Sequence, residues 1–186
     1  MKFYSKNLMF CCNENNDLYN VLKNCGYYFE RSSDLNSLVE KAEDNAGILI
    51  LADNYPIQTI VVNQNILNLA RSKNLKLYIE YPLSIEGLSF GEPSNTRYER
   101  LVVSSDFFAG KLEKDTIMML NGCWYLPLEK DTNINHIVHL CMAKVAGYSK
   151  IAFGLPDVTF PILFQKNDNE NILIAASCLS NFVTAR

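Results

Sequence analysis

Three carboxylates stand where short apolar runs end: Asp53 after Ile48-Leu49-Ile50-Leu51-Ala52, Glu80 after Leu77-Tyr78-Ile79, and Asp106 after Leu101-Val102-Val103. An acid at the end of a buried strand reaches the crevice beyond the sheet. Two such acids about 5–10 Å apart can carry out glycoside hydrolysis. The same side chains also cap helices or accept from loop N–H groups, a role that needs no substrate. Aromatic residues accompany the acids, with Tyr55 beside Asp53 and with Tyr78 and Tyr81 flanking Glu80; Tyr27-Tyr28-Phe29, Phe107-Phe108 and Trp124-Tyr125 add more. Aromatic rings fill cores by default, and their faces also stack on sugar rings.

Nucleophilic chemistry has little to work with. No G-x-S-x-G or G-x-C-x-G occurs, so the strained strand–turn–helix that presents a nucleophile is not encoded. Gly122-Cys123-Trp124 comes nearest, but Trp124 would crowd such a turn. A Cys123–His136 pair stays open, since nucleophile and base need only meet in space; the expectation is a structural Cys123. His136 and His139 are the only histidines and no Cys pair lies near them, so no metal site is expected. Neither G-x-x-x-x-G-K-[ST] nor G-x-G-x-x-G is present, and no nucleotide or other cofactor is expected. The six cysteines contain no C-x-x-C and read as buried, reduced thiols.

The elements that must position these residues alternate along the chain. Strands are expected at 8–12, 27–30, 48–52, 75–81, 100–103, 117–120, 124–128, 151–155, 161–164 and 172–176, with a surface loop at 84–97. Helices are expected from Asp17 to Gly26, after an Asp34 cap, over 64–72 and over 136–146; each carries apolar residues at i, i+3, i+4 spacing. The Asn- and Asp-rich stretch 166–171 reads as a hairpin turn. Such alternation is the signature of an α/β domain, parallel in its first half with an antiparallel extension in its last third. In open parallel sheets the ligand crevice lies beyond the carboxyl ends of the strands, which singles out Asn13, Asp53-Asn54-Tyr55, Glu80-Tyr81 and Asn121.

Composition sets the outer limits. The chain has 186 residues, 48% hydrophobic and 20% charged, enough for a core without disulfides or metal. A net charge of −3 with dispersed basic residues excludes nucleic acid as the main partner. No apolar run approaches the roughly 20 residues needed to span a bilayer. The chain therefore reads as soluble, either intracellular or, with a leader removed ahead of Met1, periplasmic.

Several stretches together carry a resemblance: Leu49-Ile50-Leu51-Ala52-Asp53-Asn54-Tyr55-Pro56, Leu77-Tyr78-Ile79-Glu80-Tyr81-Pro82, Glu99-Arg100-Leu101-Val102-Val103, Val145-Ala146-Gly147-Tyr148, Pro161-Ile162-Leu163-Phe164 and the closing 179–186. On these the chain resembles the class I glutamine-amidotransferase-like N-terminal domain of bacterial carbohydrate-utilisation and glycosidase-like multidomain proteins. The resemblance implies a three-layer α/β/α flavodoxin-like fold in a single domain over 1–186, cut from a longer chain whose C-terminal domain is its partner. Amidotransferases of this fold place a Cys after a central strand with a downstream His and Glu; here Glu80-Tyr81-Pro82 stands at the comparable strand end. The expectation is a non-catalytic accessory domain that contributes to sugar binding or assembly, homo-oligomers included, through Asp53, Tyr55, Glu80, Tyr81 and Arg100. A glycoside hydrolase using the strand-end carboxylates and a protein-interaction module are the alternatives.

Overall fold

The computed structural model describes residues 3–85, 87–120, 122–129, 136–166 and 169–182. The first half contains β1 (Phe3–Cys11), α1 (Asp17–Asn24), β2 (Tyr27–Ser32), α2 (Leu35–Lys41), β3 (Gly47–Ile50), α3 (Gln64–Ser72) and β4 (Lys76–Glu80). An excursion follows through β5 (Arg100–Val103), β6 (Ile117–Met118), β7 (His136–Ala143) and β8 (Phe160–Lys166), before β9 (Asn169–Ala175) returns. These nine strands form one sheet in the order β6-β5-β7-β8-β9-β4-β3-β1-β2. Strands β2, β1, β3, β4 and β9 are mutually parallel. The other four extend the sheet antiparallel from β9.

Local chemistry explains the helix ends. Asn16, Asp34 and Asn63 each accept from a backbone N–H of the first turn of α1, α2 and α3, satisfying donors that have no partner within the helix. At the far end of α2, the Lys73 ammonium donates to the carbonyls of Val39, Glu40 and Ala42 at 3.1, 2.6 and 3.0 Å. A cation there also meets the negative end of the helix dipole.

The helices cover opposite faces of the parallel half. Leu18, Tyr19 and Leu22 of α1 pack on Phe10, Cys12 and Leu51. Leu38, Val39, Ile66 and Leu67 of α2 and α3 pack on Met9, Ile48, Ile50 and Ile79 from the other side. Successive strand residues point to alternate faces, so a strand covered twice must be apolar at every position, as 48–52 is. A further cluster of Leu101, Val103, Leu140, Met142 and Ile162 underlies the antiparallel half. Because β1 leads into α1 on one face and β3 leads towards α3 on the other, the chain diverges between these two strands. A crevice must open beyond their carboxyl ends.

Several expectations are corrected. The 136–146 segment is a strand over His136–Ala143 rather than a helix; Leu140–Ala143 is buried at every residue, and a doubly covered strand shows no period that separates it from a helix. The 151–155 segment forms no strand: Ile151 makes one isolated bridge to Gly147, and Phe153 lies in solvent. The 84–97 loop contains short ribbons, Pro82–Ile85 against Leu88–Ser89 and Ser94–Asn95 against Trp124–Tyr125, so strand 124–128 shrinks to two residues. The antiparallel strands are inserted between β4 and β9 rather than added at the C-terminus, and the final strand is parallel. Asn121, the middle of the 166–171 turn and residues 183–186 lie outside the described residues.

Candidate functional site

Two adjoining clefts open at the carboxyl ends of β1 and β3. The larger, about 290 Å³, is lined by Cys11, Asn13, Ser33, Asp53, Asn54 and Gln58 among others. The second, about 220 Å³, is lined by Asn13, Asn16, Asp17, Asp53, Cys178 and Ser180 among others. Asp53 stands on the border between them, exposed. Its Oδ2 accepts from the Asn13 N–H at 2.6 Å, and its Oδ1 accepts from the Asn16 side-chain amide at 2.8 Å. Each carboxylate oxygen can accept a second hydrogen bond, so capacity remains for a ligand. Asp17 and Asp53 are the charged residues of the two linings, which contain no Lys or Arg. The local field is negative, favouring hydroxyl-rich or cationic ligands over phosphates.

Neighbouring thiols respond to the same surroundings. Burial, with Asp53 next, pushes the Cys11 thiol up to about 11 and the Cys12 thiol up to about 12. Both stay protonated at neutral pH and are poor nucleophiles.

Glu80 is fully buried behind the second cleft. Its Oε1 accepts from the Tyr78 hydroxyl and the Ser180 N–H, both at 2.8 Å. Its Oε2 accepts from the Ser180 hydroxyl at 2.8 Å, the Ala52 N–H at 3.2 Å and the Cys178 thiol at 3.4 Å. Five donors converge on about four lone-pair sites, which leaves no capacity for substrate. The carboxylate is an anchor that ties the end of β4 to the turn after β3 and to the 3-10 turn Leu179–Phe182. Burial first, then the adjacent Glu80, holds the Tyr78 phenol well above its ordinary range, so it stays a donor.

The remaining predicted residues divide. Tyr81 is fully buried at a positive φ of 48° with Ala52, Leu126 and Cys178 around it. Its ring meets that of Tyr55 edge-on at 5.1 Å, and its hydroxyl has no hydrogen-bond partner among the described residues. The Tyr55 hydroxyl donates to the Trp124 carbonyl at 2.9 Å and accepts from the Trp124 N–H at 2.5 Å; burial pushes its pKa to about 12. Arg100 begins β5 at the same edge of the sheet but four strands from β4, roughly 19 Å at the usual strand spacing. Its guanidinium donates to the Gly147 carbonyl at 2.6 Å. Thus Asp53, Tyr55, Glu80 and Tyr81 converge, Arg100 does not, and of the five only Asp53 reaches a cleft.

The residues of the alternative readings lie in separate surroundings. Strand β5 runs antiparallel to β4, so Asp106 emerges at the opposite edge, a strand length of roughly 15 Å away. Cys123 lies in the cluster of Leu120 and Tyr125, whereas His136 packs against Phe164. Among the described residues no group of three or more His, Cys, Asp or Glu is placed to hold a metal. No helix among them is long and apolar enough to cross a membrane. Sequence reasoning missed Asn16 and Asp17, although an Asn-Asp pair before an apolar stripe is a cap signal. It also missed Cys178 and Ser180, which only tertiary folding brings to the cleft.

No protein-family model and no curated protein matches the chain. A solved structure, the crystal structure of Agd3, a novel carbohydrate deacetylase, matches 95% of the chain with a TM-score of 0.57 and 10% identity. The fold is therefore shared. The chain spans 29% of the length of that protein.

Proposed function

We propose that this chain is a non-catalytic, carbohydrate-binding α/β unit of the three-layer flavodoxin-like, class I glutamine-amidotransferase-like kind, acting beside a catalytic domain. The parallel strand order β2-β1-β3-β4-β9 with helices on both faces supports the fold assignment. The likeness to a carbohydrate deacetylase supports the ligand class by analogy of fold. The observation that carries the reading is the pairing of an exposed Asp53 on amide-rich clefts with a Glu80 fully spent inside. The clefts offer hydrogen-bonding groups for hydroxyls, and the Cys11 and Cys12 thiols beside them stay protonated.

Titration of the protein with glucose, glucosamine and their oligomers, followed by NMR, tests this reading. Resonances of Asn13, Asn16 and Asp53 are expected to move with sugar. Asp53→Asn is expected to weaken glucosamine binding by about tenfold, the worth of a charge-assisted hydrogen bond. Clefts silent to every sugar would sink the proposal. The assembly role rests on a different observation: segment 144–159 presents Tyr148 and Phe153 at 97% and 92% exposure, and sedimentation against concentration reads it.

A further inference from the structure

We propose that the open stretch of sheet face near the amino ends of β3, β4 and β9 is a second saccharide site, in which a sugar ring lies on Phe107 and bonds to an asparagine rim. The carbohydrate class rests on the function proposed above; the site itself rests on separate residues at the opposite edge of the sheet. On this face the cluster under helix α1 runs from Phe10 and Phe29 to Leu8, Leu49 and Tyr78, which remain only partly buried. The 3-10 turn Asp106–Phe108 covers the face over the antiparallel half. Between them lies a concavity of about 670 Å³, within the size range of small-molecule sites.

Strand register builds it in two rows. Leu49, Tyr78, Leu173 and Gln165 lie side by side across β3, β4, β9 and β8 and form the floor. The row below runs Leu8, Gly47 and Lys76, with Asn171 beside Lys76. Gly47 contributes no side chain, and the Leu8 side chain packs over it, with Cδ1 3.1 Å from where a Cβ would stand.

Phe107 is a preformed wall. It is 50% exposed, and it stacks on His139 with ring centroids 4.1 Å apart at 28°. The imidazole is itself clamped: Nε2 donates to the Gln165 Oε1 at 3.1 Å, and Nδ1 accepts from the Ser105 hydroxyl at 2.8 Å. The Phe107 N–H donates to the same Ser105 oxygen at 3.3 Å. A ring held from behind loses little freedom when a ligand arrives, and its outer face borders the concavity.

The rim is a chain of amides. The Asn171 amide donates to Asn74 at 2.7 Å, and the Asn74 amide donates to Asn45 at 2.6 Å. Asn74 is consumed as the middle link. The Asn171 Oδ1 and the Asn45 Nδ2 have no partner among the described residues, and both residues line the concavity together with Asn7. The ladder thus offers one open acceptor and one open donor above an apolar floor, the pairing that a sugar ring with its C–H face and hydroxyl edge needs. A docked apolar helix would leave these amides unsatisfied. Lys76 is the charged residue of the lining, which contains no acid. The groove therefore accepts neutral and carboxylate-bearing sugars, the reverse of the acidic clefts around Asp53.

That reversal supplies the test. The full chain is titrated separately with glucuronic acid, glucose and glucosamine, followed by NMR. Glucuronic acid is expected to shift Asn45, Phe107 and Asn171 and to bind at least fivefold more tightly than glucose. Phe107→Ala is expected to weaken it at least tenfold, while Asp53→Asn leaves it unchanged. Lys76→Met, an exposed position whose stem is retained, is expected to erase the preference over glucose with the melting temperature unchanged. The proposal is overturned if the groove stays silent to glucuronic acid while the Asp53 clefts answer glucosamine, a result that leaves the function above intact. It is equally overturned if the groove resonances move with protein concentration instead of sugar, which would make it a contact between two copies of the chain.

Discussion

At the scale of single residues, the chemistry is governed by which polar groups are already spent. Glu80 looks like a catalytic acid by position, yet its oxygens accept from Tyr78, Ser180, Ala52 and Cys178. Replacing it with Gln sets an NH2 donor against donors, and a buried mismatch of this kind costs about 2–4 kcal/mol. Tyr78→Phe removes one donor and costs about 1–2 kcal/mol. Urea unfolding of the two variants checks the order: Glu80→Gln is expected to lower the midpoint further than Tyr78→Phe. His139 makes a pH prediction. Burial lowers its pKa in the folded protein below the ordinary 6.5, only partly offset by Gln165. The unfolded chain therefore takes up the proton first, and stability falls as pH drops below about 6.5 until the folded pKa is passed. Above that window this contribution is flat. The urea midpoint measured from pH 8 to 5 reads it, and the slope is expected to shrink in His139→Gln. Thiol chemistry follows exposure: of six free cysteines only Cys25 is exposed, so native protein is expected to react with a disulfide reagent at one thiol promptly and at the others after unfolding.

Single elements were legible wherever local chemistry decides them. The expected helix at 64–72 coincides with α3, and the Asp34 cap is where it was expected, because capping and apolar spacing are properties of neighbouring residues. Lys73 shows the limit. It sits just past α3 yet finishes α2, through three carbonyls more than thirty residues earlier in the chain. Lys73→Met keeps the stem and removes the donor, and is expected to cost about 1–3 kcal/mol; loss of amide protection confined to the last turn of α2 would confirm the mechanism. Strand β7 failed for a complementary reason. Ile137, Leu140 and Cys141 satisfy a helical stripe in sequence, but pairing with β5 and β8 on both sides supplies the backbone hydrogen bonds that a helix would have made for itself.

At the scale of the whole molecule, the buried strands of the sheet contrast with the exposed segment 144–159. Ile48, Ile79 and Ile174, on adjacent strands, are each fully or almost fully buried. Their amides are expected to exchange slowest in native-state hydrogen exchange and those of 144–159 fastest. A uniform rate across both regions would contradict that hierarchy. The same architecture separates the two candidate ligand sites by the length of the sheet. An acidic crevice lies at the carboxyl ends of the parallel strands, and an amide-rimmed groove with a single lysine lies at their amino ends.

By itself the sequence determined the class of fold, the first half of the parallel strands with their helices, and the position of Asp53 at a strand end. All of these follow from periodicity, caps and the rule that crevices form beyond carboxyl ends. Only the tertiary structure decided which of the strand-end residues are available. Glu80 is closed off by Ser180, a hundred residues later; Arg100 is carried four strands away; and His139, expected within a helix over 136–146, becomes the backing of Phe107 on a strand. The physical reason is common to the three. A polar side chain takes its role from the partners that satisfy it, and here most of those partners are brought by tertiary folding from residues distant along the chain.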